Sequence, residues 1–138
     1  MEVTFITSAA MCDEKFAMAR PLLQPVIEQA ARGEFTVADI ERMTRQGRAI
    51  TAIAQLDGLP VMAMAFEFVH YPQQLAVNVM ALGGRGLDFV AEQFWQVFRT
   101  WCKGAGATVI EASCSDAMAR MLQRYGFDCA YRVVRSPL

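Results

Sequence analysis

LAVNVMALGGRGLD, residues 75 to 88, contains the change of pattern that decides how the chain is read. Apolar residues run from Leu75 to Leu82, with Leu75, Val77 and Val79 on one face of a strand. Three glycines then surround Arg85, and from Leu87 to Lys103 the apolar positions recur at three and four. An extended segment therefore gives way to a helix through Gly83-Gly84-Arg85-Gly86. Glycine frees the backbone there. The first N–H groups of the helix are left unpaired, with the positive end of its dipole behind them, which suits a phosphate. A short glycine cluster can equally be a plain turn, so the flanking elements must decide between the two.

Upstream, Val3 to Ile6 is expected as a strand. A helical segment follows from about Asp13 to Ala31, expected to kink or break near Pro21 and Pro25 and to end at Arg32-Gly33. Thr36-Val37-Ala38-Asp39 has the form of a capping box, opening a short helix that Gly47 stops. Arg48 to Leu56 and Pro60 to His70 flank Asp57-Gly58, a hairpin signal, and Leu75 to Leu82 adds a third antiparallel strand.

Downstream, Leu87, Val90, Ala91, Phe94, Val97, Phe98, Trp101 and Cys102 form one helix face, which Gly104 and Gly106 terminate. Thr108 to Ser113 is expected as a fifth strand, Asp116 to Tyr125 as a helix and Phe127 to Val134 as a last strand. Strand, helix, strand in succession implies a right-handed parallel crossover.

At 138 residues and 54% apolar content the sequence reads as one domain, residues 1–138, able to bury a core without staples. Residues 1–82 carry a formal charge of -3 and residues 83–138 one of +2. That asymmetry favours an anionic small molecule near the second half, and the absence of a basic run argues against nucleic acid. Cys12, Cys102, Cys114 and Cys129 have no paired spacing and only His70 for company, so no metal site is expected. The thiols read as reduced packing residues. The acidic start Met1-Glu2 is unlike a secretion signal, and the run Leu59 to Phe66 is too short to span a bilayer. A cytoplasmic protein without a membrane span is the expectation.

The order of these elements, with Arg85-Gly86-Leu87 opening the central helix and Gln123-Arg124-Tyr125-Gly126-Phe127 closing the last one, resembles the GCN5-related N-acetyltransferase (GNAT) superfamily over nearly the whole chain. The resemblance implies an α/β fold, with a mixed, mostly antiparallel sheet of about six strands and helices on both faces. It implies acetyl-CoA in a gap beside the central strand. Val79, Met80, Ala81 and Leu82 would face the pantetheine arm, and Gly84, Arg85, Gly86 and Leu87 the pyrophosphate. The implied activity is acetyl transfer to a small-molecule or peptide amine.

The chain departs from the family pattern R/Q-x-x-G-x-G/A at both ends, with Gly83 for the leading side chain and Asp88 for the final small residue. A carboxylate about 5 Å from a bound anion opposes it by about 1 to 3 kcal/mol. Aligned on Gly126-Phe127, Leu122 occupies the place of the tyrosine that protonates the departing thiolate in many members. Tyr125 stands a turn further on, spaced with Met121 and Leu122 as a core residue. Glu67 and Glu111 are the candidate catalytic bases, polar residues in otherwise apolar strands, with Asn78 and His70 as the other polar strand residues. By alternation Glu67 and His70 fall on opposite faces. The eroded motif also fits a structural or interaction protein that keeps the fold without the chemistry. Such a protein would act through protein partners or self-association, in a virion if it resembles the degenerate acetyltransferase-like chains of bacteriophages.

Overall fold

The hairpin expected at Asp57-Gly58 forms, and its turn shows why: Asp57 and Gly58 both take positive φ, 52° and 80°. Two such residues in succession match the right-handed twist of the flanking strands. A computed structural model describes residues 1–85 and 88–138; Gly86 and Leu87, two of the expected cofactor contacts, lie outside the described residues. The elements are β1 (Glu2–Ile6), α1 (Ala9–Ala30), α2 (Val37–Arg45), β2 (Ile50–Leu56), β3 (Leu59–His70), β4 (Leu75–Gly84), α3 (Asp88–Gly104), β5 (Val109–Ala112) and α4 (Asp116–Gln123).

The strands lie in sequence order in one sheet. β1 to β4 pair antiparallel, and β4 pairs with β5 in parallel, as a strand, helix, strand succession requires. Helices cover both faces. On one, Val90, Phe94, Trp95, Phe98 and Cys102 of α3 and Leu122 of α4 pack on Ala52, Ala54, Met62, Met64, Phe66 and Val77. On the other, Cys12, Phe16, Ala19, Leu23 and Ile27 of α1 and Ile40 of α2 pack on Ile6, Ile53, Ala63 and Ala65.

The α1 stripe, spaced by three or four, keeps the helix in one piece. Pro21 and Pro25 both lie inside its 22 residues, although each removes a backbone donor and crowds the preceding turn. Burial along the whole stripe offsets that cost, so of the expected kink or break the break does not occur.

The α2 start is a full capping box. The Thr36 Oγ1 accepts from the Asp39 N–H at 3.2 Å, and Asp39 Oδ2 accepts from the Thr36 N–H at 2.8 Å. The donated backbone bond, then Arg42, holds the Asp39 carboxyl below its ordinary range. A depressed carboxyl adds stability above its unfolded pKa, about 3.9, and loses it as pH falls through the lower folded value. The melting difference between wild type and Asp39→Asn should therefore be largest at neutral pH and shrink toward pH 3. Thr36→Ala should cost about 1 kcal/mol in denaturant titrations.

Among the described residues the sheet has five strands, one fewer than the sequence suggests. Residues 127–138 form no strand. Their alternation of apolar residues finds no face to bury: Tyr131, Val133 and Val134 are 75%, 61% and 90% exposed. The segment is held by scattered side-chain contacts instead. Phe127 packs edge-on against Trp95 at 5.3 Å between ring centres, and Arg135 pairs with Glu34 in the α1–α2 connection. Strand propensity reports fitness for a half-buried pleat, and here that pleat is missing.

Candidate functional site

β4 is longer than its parallel neighbour, and that mismatch builds the site. β3 pairs with β4 as far as Met62↔Gly84, whereas β5 stops at Val79↔Ala112. Met80 to Gly84 therefore have no β5 residue opposite them among the described residues, leaving a gap in the strand pairing about 17 Å long at 3.3 Å per residue. A bulge helps to open it. The β3–β4 register jumps from Phe66↔Val79 to Ala65↔Ala81, so Met80 is the extra residue, and bulges bend and twist the strand that carries them.

Backbone alternation then decides which groups face the gap. The Arg85 N–H donates to the Val61 carbonyl at 3.0 Å, committing Arg85 to β3. In an antiparallel ladder the next residues alternate, so Gly83 and Ala81 also face β3, while Leu82 and Gly84 turn their N–H and C=O groups toward the gap. Of the expected amide contacts, Leu82 and Gly84 are placed to donate. Arg85 is not, and its side chain lines a groove of about 270 Å³ with Met18, Pro21, Leu22 and Val61 on the α1 side.

Side chains follow the same register. Val79 and Leu82 pack into the core under α3, and Met80 and Ala81 into the core under α1. Gly83 has a packing duty that the sequence did not reveal: a Cβ there would stand 2.1 Å from the Leu22 carbonyl oxygen of α1.

Glu67, Asn78 and Glu111 are brought into one row by the pairs Glu67↔Asn78 and Asn78↔Glu111. Directly paired residues share a face, and Glu67 alternates with Ala63 and Ala65, so the row is on the α1 side. It lies one residue before the strands part. Glu111 Oε1 accepts from the Tyr71 hydroxyl at 2.7 Å. That bond first, then desolvation and the Glu111 charge, with Tyr131 adding to it, pushes the Tyr71 phenol up to about 12. His70 is exposed at the end of β3 and alternates onto the opposite face, with Phe66 and Phe68.

Leu122, at the position expected for an acid in the family, is buried in the core at 5% exposure. Tyr125 is tilted against Trp95 at 5.6 Å between ring centres. Among the described residues no group of three or more His, Cys, Asp or Glu is arranged to hold a metal ion.

The thiols divide by burial, Cys12 and Cys102 being enclosed and Cys114 and Cys129 exposed. Burial pushes Cys102 up to about 12. Alkylation at neutral pH should accordingly modify Cys114 and Cys129 in the native protein and reach Cys12 and Cys102 only on unfolding, which mass spectrometry of labelled peptides would read.

No protein-family model matches the sequence, and no curated protein matches it. Solved structures do match. A probable acetyltransferase aligns at a TM-score of 0.73 and 14% identity, over 100% of this chain and 99% of its own. The ribosomal-protein-alanine N-acetyltransferase of Brucella melitensis biovar Abortus aligns at 0.69 and 11% identity, over 100% of both chains. An aminoglycoside N-acetyltransferase in complex with CoA aligns at 0.70 and 16%, over 99% of this chain and 98% of its own. Identities this low speak for architecture alone. The chain has the fold of the GCN5-related N-acetyltransferases, with five strands among the described residues.

Proposed function

We propose that this chain transfers an acetyl group from acetyl-CoA to a small-molecule or peptide amine in the gap between β4 and β5. The observation that carries this reading is the pair of outward-facing backbone groups at Leu82 and Gly84, in a fold shared with acetyltransferases, one of them solved with CoA. They would hold the amide-bearing pantetheine arm as an added strand would be held. Of the other expected contacts, Val79 lies at the last pairing with β5 and Met80 at the bulge, while Ala81 turns its backbone to β3. The Arg85 guanidinium is near enough along the chain to meet a phosphate by leaving its groove.

Acetyl-CoA would supply an activated thioester carbonyl, the amine nitrogen forming the new N–C bond as the C–S bond breaks and CoA leaving as a thiolate that takes its proton from water; the chain's own task is to orient the acceptor and take the amine proton. Glu111 adjoins the point where β4 and β5 separate, so its carboxylate is the nearer base; Glu67 stands two strands away in the same row. Leu122 has no proton to give, so α4 contributes packing rather than an acid. Among the described residues no helix is long and apolar enough to cross a membrane.

Thermal melting with increasing acetyl-CoA tests the reading. Ligand that binds the folded state raises the melting temperature with ln(1 + [L]/Kd). A rise, with acetylated product from a panel of amines, is the expected result; no rise at millimolar acetyl-CoA would overturn it. Glu111→Gln should keep the melting shift and lower kcat about a hundredfold, and Glu67→Gln should lower it less.

A further inference from the structure

We propose that Tyr71 is a positioning residue for Glu111, holding its carboxylate in one orientation beside the β4–β5 gap so that the free oxygen meets the acceptor amine. This rests on the acetyl-transfer reading above and goes beyond it, because a group in a surface turn acquires a defined part in the reaction.

The turn that carries Tyr71 is fixed at both ends. Its N–H donates to the Gln74 carbonyl at 3.0 Å, closing the β3–β4 connection on itself. Thr108, just before β5, donates its N–H to the Leu75 carbonyl at 2.9 Å and its hydroxyl to Gln74 Oε1 at 3.3 Å. The same turn is thus tied to the strand that bears Glu111. A hydrogen bond between two elements locked in this way costs little further ordering.

The chemistry of the pair is one-directional. The phenol, raised to about 12, stays protonated throughout the physiological range, so Tyr71 remains the donor and the Glu111 oxygen the acceptor. With Oε1 engaged, Oε2 is left for the substrate proton. The titratable groups around the pair are Tyr131 of the C-terminal segment and Glu67 across Asn78. Tyr131 adds to the upward shift of Tyr71, and its segment is tethered four residues on by Arg135 and Glu34. A free glutamate on a strand of four residues samples several rotamers. Tyr71 removes that freedom.

The test uses Tyr71→Phe, which deletes one hydroxyl from a side chain 40% exposed and should leave the melting temperature nearly unchanged. Steady-state kinetics should show kcat reduced about tenfold with KM for acetyl-CoA unaltered. Tyr71→Phe added to Glu111→Gln should produce no further loss, since the two act as one unit. Independently of activity, NMR of the tyrosine ring carbons should find one phenol titrating near 12 in wild type and returning toward 10 in Glu111→Gln. An active enzyme whose Tyr71→Phe variant is unchanged overturns the positioning role alone. A wild-type chain with the raised phenol that acetylates nothing overturns the acetyl-transfer reading, and the role falls with it. A Tyr71 phenol that ignores Glu111→Gln shows that the pair does not form in solution and overturns the role whatever the activity.

Discussion

Gly83→Ala should be among the most damaging single-methyl changes available to this chain, lowering stability by about 3 kcal/mol or more and the melting temperature by roughly 10 °C. The added Cβ would meet the Leu22 carbonyl oxygen at 2.1 Å and the Val26 Cγ2 at 3.2 Å. The first of these atoms is helix backbone, which cannot swing aside as a side chain can. Relief requires α1 to lift from β4, and the buried stripe of Phe16, Ala19, Leu23 and Ile27 resists that. Gly104→Ala is the matched control. A Cβ at Gly104 has nothing within 4 Å, so the change should be neutral or stabilise slightly. Equal melting temperatures for the two variants would show that α1 does not rest on Gly83.

Phe66→Ala should cost about 3 to 5 kcal/mol in chemical denaturation. Phe66 is fully buried on β3, with ring centres at 5.0 Å from Phe98, 5.5 Å from Trp101 and 6.4 Å from Phe5, each an edge-on contact. Such pairs add to the area term because the ring edges meet opposing ring faces. Truncation leaves a void among three aromatic rings, none of which can fill it without leaving its own contacts. Phe66 also pairs with Val79 at the bulge, so its loss should loosen the mouth of the gap. A loss below 1 kcal/mol would contradict this picture of the core.

Features encoded locally were legible in the sequence. Asp57-Gly58 and the Thr36 capping box act within a few residues and form as expected, and α3 buries Val90, Phe94, Phe98 and Cys102 of its expected face, although Val97 is exposed and Trp95, outside that face, is buried. Pairing-dependent features were not. The segment Phe127 to Val134 has the composition of a strand, yet strand formation needs a neighbour and a buried face, and its exposed valines have neither. Gly83 resembled part of a phosphate cradle because a glycine shows its flexibility in sequence but not what passes above it. Here α1 passes above it.

The candidate site was legible in part for the same reason. The apolar run ending in glycines marked where β4 meets α3. Which amides turn to the gap depended on the Met80 bulge and on Arg85 bonding Val61, both properties of the pairing with β3. Glu67 and Glu111 stood out as polar residues on apolar strands. Tyr71 lay in a turn whose sequence carried no sign of its partner forty positions on.

The most direct test of the central claim, that the gap beside β4 holds the coenzyme through its backbone, is an amide NMR titration with CoA. The largest shift changes should fall at Leu82 and Gly84, with smaller ones at Val79 and Ala112 where the strands part, and little change at Gly83, which faces β3. Saturation with the largest changes elsewhere, such as the groove between Phe5 and Trp101, or no change at millimolar CoA, would contradict it.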